Sequence, residues 1–215
     1  MFDDLLRAFG PQHWWPGRTR FEVMAGAVLT QNTAWTNVEK AIANLRRDRR
    51  LTPARMHALP LPALAALIRP AGYFNVKARR LRALTGLICG RFGGSLDRLF
   101  ALDTPALRRT LLDTHGIGPE TADSIALYAA RRPVFVIDAY TRRMMERHGW
   151  APRDLPYDDL AARFTASLPR DTALYNEYHA LIVALGKTRC RPTPRCPGCP
   201  LQSRLPRGCV RGSVR

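Results

Sequence analysis

Apolar positions along this 215-residue chain recur at the spacing of amphipathic helices and nowhere show the sustained alternation of a strand ladder. Phe21, Met24, Ala25, Val28 and Leu29 line one face of a first long helix, and Val38, Ile42 and Leu45 line one face of the next. Leu59 to Leu67 and Val76 to Leu87 continue the pattern, broken by prolines at 53, 60, 62 and 70. Leu160 to Leu168 and Tyr175 to Leu185 supply the last helices. No internal repeat or low-complexity linker interrupts the series, and Pro, Gly and Arg crowd together only after Gly186. The pattern predicts an all-α protein.

One break in the pattern carries more information than the rest. The run through Leu107, Leu111 and Leu112 stops at Gly116-Ile117-Gly118, and a second run through Ala122, Ile125, Ala126 and Ala129 starts at once. Pro119 suits a first helical position, where its missing N–H is no loss. Two helices joined by so tight a glycine turn form a helix–hairpin–helix. Its turn amides and the following helix dipole offer a nest for a phosphate. Beyond it, the apolar run Pro133 to Ile137 ends in Asp138, and a further helical stretch runs from Ala139 to His148.

Charge narrows the partner. There are 34 Lys and Arg against 17 Asp and Glu, a formal net charge of +17, and only Lys40, Lys77 and Lys187 are lysine. The excess is spread along the chain, so it reads as a folded basic surface for phosphate backbones whose binding weakens with salt. An arginine-rich compositional bias would explain the choice of Arg over Lys but not the net imbalance. No apolar stretch approaches the roughly 20 residues of a membrane span. The acidic start Met1-Phe2-Asp3-Asp4 lacks the basic region of a secretory signal. The expectation is a soluble cytoplasmic, nucleoid-associated protein, and nothing predicts an oligomer. Cys190, Cys196, Cys199 and Cys209 cluster near the end, which in an intracellular protein suggests metal before disulfides. Spacing alone permits an iron–sulfur cluster or a zinc site held by the four cysteines. Cys89, amid Leu87 and Ile88, reads as a small buried residue.

The order helix, Gly-Ile-Gly turn, helix, apolar run, Asp, helix resembles the helix–hairpin–helix DNA glycosylase superfamily, the endonuclease III and adenine glycosylase group. The segments WWP, FEVMAGAVLTQNT, IRPAGYFNVKARRL and HGIGPETADSIALYA, in that order from about residue 13 to residue 187, resemble more closely its endonuclease III-like 3-methyladenine DNA glycosylases. The resemblance implies two helical lobes, 21–130 and 1–20 with 131–215, with DNA and an extruded base in the groove between them. It implies a base-excision enzyme acting on double-stranded DNA that holds a damaged base. Asp138 takes the place of the family's catalytic carboxylate; its plain alternative is a helix N-cap, and the two are compatible. His115, Gly116, Ile117 and Gly118 form the hairpin that binds the DNA backbone. Gln31 and Asn32, at the end of the first long helix, occupy the loop that fills the gap left by the extruded base; otherwise they are a solvated helix end.

An N-alkylated purine such as 3-methyladenine is a cation and already a good leaving group, and electron-rich rings recognise it by cation–π attraction. Trp14, Trp15 and Trp35 are the candidate walls, against the plain reading of tryptophan as core filler. Asp138 would stabilise the oxocarbenium sugar and position or deprotonate water. Where bifunctional relatives carry the Schiff-base lysine, this chain has Glu120, which forms no imine. Glu120 is either a pocket carboxylate or a first-turn acid on the helix dipole, and both predict a monofunctional enzyme. The tail resembles the family's iron–sulfur loop, spanning 190–209. Its spacing, C-x5-C-x2-C-x9-C against the family's C-x6-C-x2-C-x5-C, puts Cys209 in question as fourth ligand. A [4Fe–4S] cluster is favoured over zinc or free thiols, shaping a loop whose Arg189, Arg191, Arg195, Arg204 and Arg207 face phosphates. Two alternatives stay open: a mismatch glycosylase for adenine or thymine, which needs polar groups for a neutral base, and a non-catalytic hairpin module that only binds distorted DNA.

Overall fold

The computed structural model describes residues 1–206. Among them every regular element is helical: α1 (Phe2–Phe9), α2 (Arg20–Leu29), α3 (Trp35–Arg47), α4 (Pro53–His57), α5 (Leu61–Leu67), α6 (Phe74–Phe92), α7 (Leu96–Phe100), α8 (Thr104–Leu112), α9 (Pro119–Ser124), α10 (Ala139–Arg147), α11 (Tyr157–Ser167) and α12 (Thr172–Thr188). Helix starts follow their side chains: Thr19, Thr52, Ser95, Asp103, Asp138 and Asp171 each accept a backbone N–H from the first turn of α2, α4, α7, α8, α10 and α12. No described helix is long and apolar enough to cross a membrane.

The chain folds as two compact units, one of Trp15–Arg132 and one of Met1–Trp14 with the chain from Pro133 onward. In the first, α6 is the spine, packed by α2, α4, α5 and α7. Met24, Val28, Leu29, Leu64, Ile68, Leu81 and Leu84 are fully or almost fully buried. The apolar spacing marks this helix over Val76 to Leu87; it runs further, from Phe74 to Phe92, and stops at Gly93, whose φ of 59° ends it in a left-handed turn. The Leu59–Leu67 run is helical only from Leu61, as α5. Pro60 separates α4 from α5, because proline disfavours helical geometry in the residue before it.

In the second unit, Phe135 stacks on Phe164 at 4.1 Å, with the edges of Tyr175 and Tyr178 at 5.6 and 5.7 Å. Phe2 of α1 meets Tyr178 at 5.3 Å, and Leu5 is wholly buried. The acidic start of the chain is therefore a docked amphipathic helix, absent from the sequence reading because its apolar face is only a few residues long. The apolar run before Asp138 carries no regular secondary structure, but Phe135, Val136 and Ile137 are each 1 % exposed. That burial fixes where α10 begins.

Candidate active site

Asp138 is a buried acid of the second unit. Its Oδ1 caps α10, accepting the Thr141 N–H at 2.7 Å and the Thr141 hydroxyl at 2.9 Å. Its Oδ2 lies 3.5 Å from His179 Nε2 on α12, and the carboxylate is 11 % exposed. Burial pushes the Asp138 carboxyl up; the neighbouring His179 imidazole and the Thr141 donors outweigh it and hold the group below its ordinary value. Asp138 is thus a buried, ionised carboxylate at the positive end of a helix. Sequence reasoning found Asp138 but not its partners. Thr141 was legible as an Asp-x-x-Thr cap; His179, 41 residues away in sequence, left no local signal.

In the first unit, α8 and α9 flank the predicted hairpin. Gly116 has φ +80°, and a Cβ there would lie 2.2 Å from Arg80 Cγ, so both the turn and the close approach of Arg80 require glycine. Gly118 is extended and needs no such freedom. Ile117 N–H returns to the Thr114 carbonyl at 3.1 Å, and Arg108 of α8 holds the buried Asp123 of α9 at 2.8 Å, locking the two helices together. His115 is exposed and Ile117 buried. Glu120 is exposed in the first turn of α9, where an acid favours the helix dipole. The helix then widens into a π-turn over Ile125–Ala129, which the apolar periodicity concealed.

The tip after α2 is organised differently from the solvated helix end that its polar residues suggested. Gln31 Nε2 donates to the Gly116 carbonyl at 3.1 Å and to the Thr121 hydroxyl at 2.9 Å, while Arg80 donates to Gln31 Oε1. Gln31 is therefore bound to the hairpin, and the exposed residue of the tip is Asn32, in a left-handed conformation with φ 52°. Tyr73, which sequence reasoning passed over, is 72 % exposed and also left-handed, with φ 44°. A bulky residue in that region is strained, and strain of this kind gathers at functional sites.

Of the three tryptophans, Trp15 and Trp35 lie in the first unit. Trp15 and Trp35 meet edge to face at 5.0 Å, both half-buried, with Tyr128 5.0 Å from Trp15; a Cβ on Gly26 would lie 3.5 Å from each tryptophan ring. Trp35 Nε1 donates to Glu39 at 3.0 Å. Trp14 belongs to the other unit, where its ring lies 5.4 Å from the Lys187 ammonium.

The cysteine loop is held by α10. Arg143 donates to the Cys190 carbonyl at 2.6 Å; Arg147 reaches Cys190 Sγ at 3.4 Å and the carbonyls of Arg191 and Pro192. Burial pushes the Cys199 thiol up, and Cys190 and Cys196 are near enough to add to that rise. The three thiols fit a thiolate-bound group in donor type, although among the described residues no three metal-ligating side chains are grouped tightly enough to hold an ion. Cys209 and Arg207 lie outside the described residues. Of the loop arginines, Arg189 donates to the Pro197 carbonyl and Arg204 pairs with Asp4 at 2.5 Å, so these two guanidiniums are engaged within the fold.

These features agree with comparisons to known proteins. The family described as HhH-GPD superfamily base excision DNA repair protein matches residues 25–170. A protein of Methanocaldococcus jannaschii carrying the provisional name of DNA repair glycosylase is 45 % identical over 92 % of this chain and 90 % of its own length. The crystal structure of Helicobacter pylori 3-methyladenine DNA glycosylase bound to 1,N6-ethenoadenine is 31 % identical, with a TM-score of 0.72 over 86 % of this chain and 92 % of that one. An endonuclease III–DNA complex shares the fold at 24 % identity, with a TM-score of 0.82 over 95 % of this chain and 91 % of the other. An all-helical fold with a helix–hairpin–helix turn, a buried carboxylate capping the helix beyond it, and these relatives lead to one assignment: the chain belongs to the HhH-GPD superfamily of base excision DNA repair proteins and is a DNA glycosylase.

Proposed function

We propose that this glycosylase is monofunctional and releases N-alkylated purines such as 3-methyladenine from double-stranded DNA. The observation that carries the reading is the Trp15–Trp35 pair, two half-buried rings at 5.0 Å beside the Glu39 carboxylate. Electron-rich faces next to an acid suit a cationic base and give a neutral mismatched base little to hydrogen-bond. The similarity to the H. pylori 3-methyladenine glycosylase supports the same substrate class.

The chemistry follows from the leaving group. In an alkylated purine the C1′–N bond breaks with its electron pair going to the base, which departs neutral, and positive charge develops on the sugar. The Asp138 carboxylate, ionised and buried, stabilises that charge. Water then bonds to C1′ and its proton passes to the carboxylate or to solvent. With Oδ1 committed to Thr141, Oδ2 is the oxygen left for this work, and His179 sets its direction. Glu120 supplies no amine, so strand cleavage through an imine at that position does not occur. His115, Gly116, Ile117 and Gly118 bind the DNA backbone at the hairpin. Asn32 and Tyr73 enter the stack, with Gln31 following once its hairpin bonds are exchanged. Cys190, Cys196, Cys199 and Cys209 would hold a [4Fe–4S] cluster, zinc being the alternative; its contribution is to fix the loop that Arg143 and Arg147 grip. Iron and sulfide content with visible absorption, against zinc content, decides between them. The enzyme acts as a monomer on nucleoid DNA.

A substrate panel tests the specificity. With one protein preparation, release is measured from duplexes carrying 3-methyladenine, a G·T mismatch and adenine opposite a lesion. The alkylated duplex is expected to react and the neutral bases far less; the reverse order would replace this reading with mismatch repair. Trp35→Leu is expected to slow release of the alkylated base about 3- to 30-fold through the lost cation–π contact. It should leave release of any neutral base that the wild type accepts nearly unaltered.

A further inference from the structure

Lys77 is 1 % exposed, and no carboxylate accepts its hydrogen bonds. Its ammonium has three donors, and the structure gives it three oxygens: the Leu29 carbonyl at 2.8 Å, the Thr33 hydroxyl at 2.6 Å and the Ala71 carbonyl at 2.7 Å. The Thr33 hydroxyl itself donates to the Ala71 carbonyl at 2.5 Å. Burial, with the positive charge of Arg80 adding to it, pulls the amine down to about 8, so it remains protonated at neutral pH. Burying a charge without an opposite one is costly, and the fold here spends it on binding two loops at one point.

Those two loops carry the exposed residues described above. Leu29 ends α2 and Thr33 closes the tip bearing Gln31 and Asn32; Ala71 precedes Gly72 and Tyr73, both left-handed with φ 66° and 44°. Lys77 lies one turn into α6 from Tyr73, its N–H bonded to the Tyr73 carbonyl at 3.0 Å. Three residues on, along the same helix face, Arg80 holds the Gln31 amide. One face of α6 thus ties both tips down from beneath.

We infer that Lys77 is a positioning residue for DNA insertion: its buried ammonium holds the Asn32 tip and the Tyr73 turn in the mutual geometry that lets both enter the base stack. Without it the tips keep their side chains but lose their shared anchor, so duplex binding through the basic surface persists while insertion fails. The inference rests on the reading of Asn32 and Tyr73 as inserting residues, and is independent of which base is excised.

The test uses the full chain and a duplex with a tetrahydrofuran abasic analogue opposite 2-aminopurine, whose fluorescence rises when the stack around it is opened. Binding is followed by anisotropy, so the fluorescence change is obtained per bound duplex at saturation. Lys77→Met is expected to give a change about fivefold or more smaller than wild type, the scale of losing one stacking contact, while still binding the duplex. Thr33→Val, which removes one of the three oxygens, should shift it in the same direction and decides the matter if Lys77→Met does not fold. A lysine with a merely structural role would lower the melting temperature and leave the change per bound duplex as in wild type, and that result overturns the inference. It is equally overturned if wild type gives no rise, or if a folded Lys77→Met no longer binds. Failure of the alkylpurine reading would show in the substrate panel and not here.

Discussion

Asp138→Asn is expected to lower single-turnover base release by about 10²–10⁴-fold, the range attributed to a positioned acid–base group, with little change in affinity for abasic duplex. Asparagine can still accept the Thr141 N–H and cap α10, so the fold stays and the charge goes. The variant thereby separates the two roles that the sequence could not. If the residue only capped the helix, release would stay close to wild type, because asparagine caps a helix about as well as aspartate. The depressed acidity has a second consequence. A carboxyl held below its unfolded value adds stability above that value and loses it as pH falls through the folded one. Relative to Asp138→Asn, wild type should therefore lose stability in acid below pH 3.8, while the gap between them stays constant above the ordinary carboxylate range. Parallel melting curves across acid pH measure it; a gap independent of pH would mean that Asp138 is not held ionised by its neighbours.

The largest expected effect on stability is at Phe135. Truncating a fully buried phenylalanine typically costs about 3–5 kcal/mol through lost burial and the cavity left behind, and Phe135→Ala removes a ring stacked on Phe164 and edged by Tyr175 and Tyr178. For a chain of this size that corresponds to a fall in melting temperature on the order of 6–20 °C. The position matters for function because the buried run Phe135-Val136-Ile137 delivers Asp138, and Tyr178 adjoins His179 on α12. Phe135 therefore anchors both elements that set the carboxylate against its histidine. Below its melting transition the variant should lose far less activity than Asp138→Asn. A melting temperature within about 3 °C of wild type, the shift of roughly 1 kcal/mol, would mean that the site is anchored elsewhere.

What the sequence disclosed and withheld follows from the range of the forces involved. Helix identity was legible because amphipathic spacing is local, and the hairpin because Pro119 and Gly116 have backbone requirements that show in the letters themselves. The start of α5 at Leu61, just past Pro60, was available from proline chemistry, whereas the π-turn at Ile125–Ala129 was not, since every residue there is buried and periodicity carries no phase. Asp138 was found through its cap and its place in the motif order. His179, Arg80 and Lys77 act across long sequence separations, and a buried lysine on an arginine-rich chain looks like one more surface cation until its three oxygens are seen. Gln31 looked like a free tip because nothing in its neighbours names Gly116 or Thr121 as its partners. Trp14 and Trp15 are neighbours in the sequence but belong to different units, and the edge-to-face contact of Trp15 with Trp35 is one that the letters do not name.

The most direct measurement is product analysis of a single turnover on duplex DNA with a site-specific alkylated adenine, run with and without borohydride. The account predicts free alkylated base, an intact strand carrying an abasic site, and no protein–DNA adduct in borohydride. A trapped adduct, or a strand cleaved in step with base release, would contradict it by showing that an amine of this chain does the chemistry assigned here to Asp138 and water.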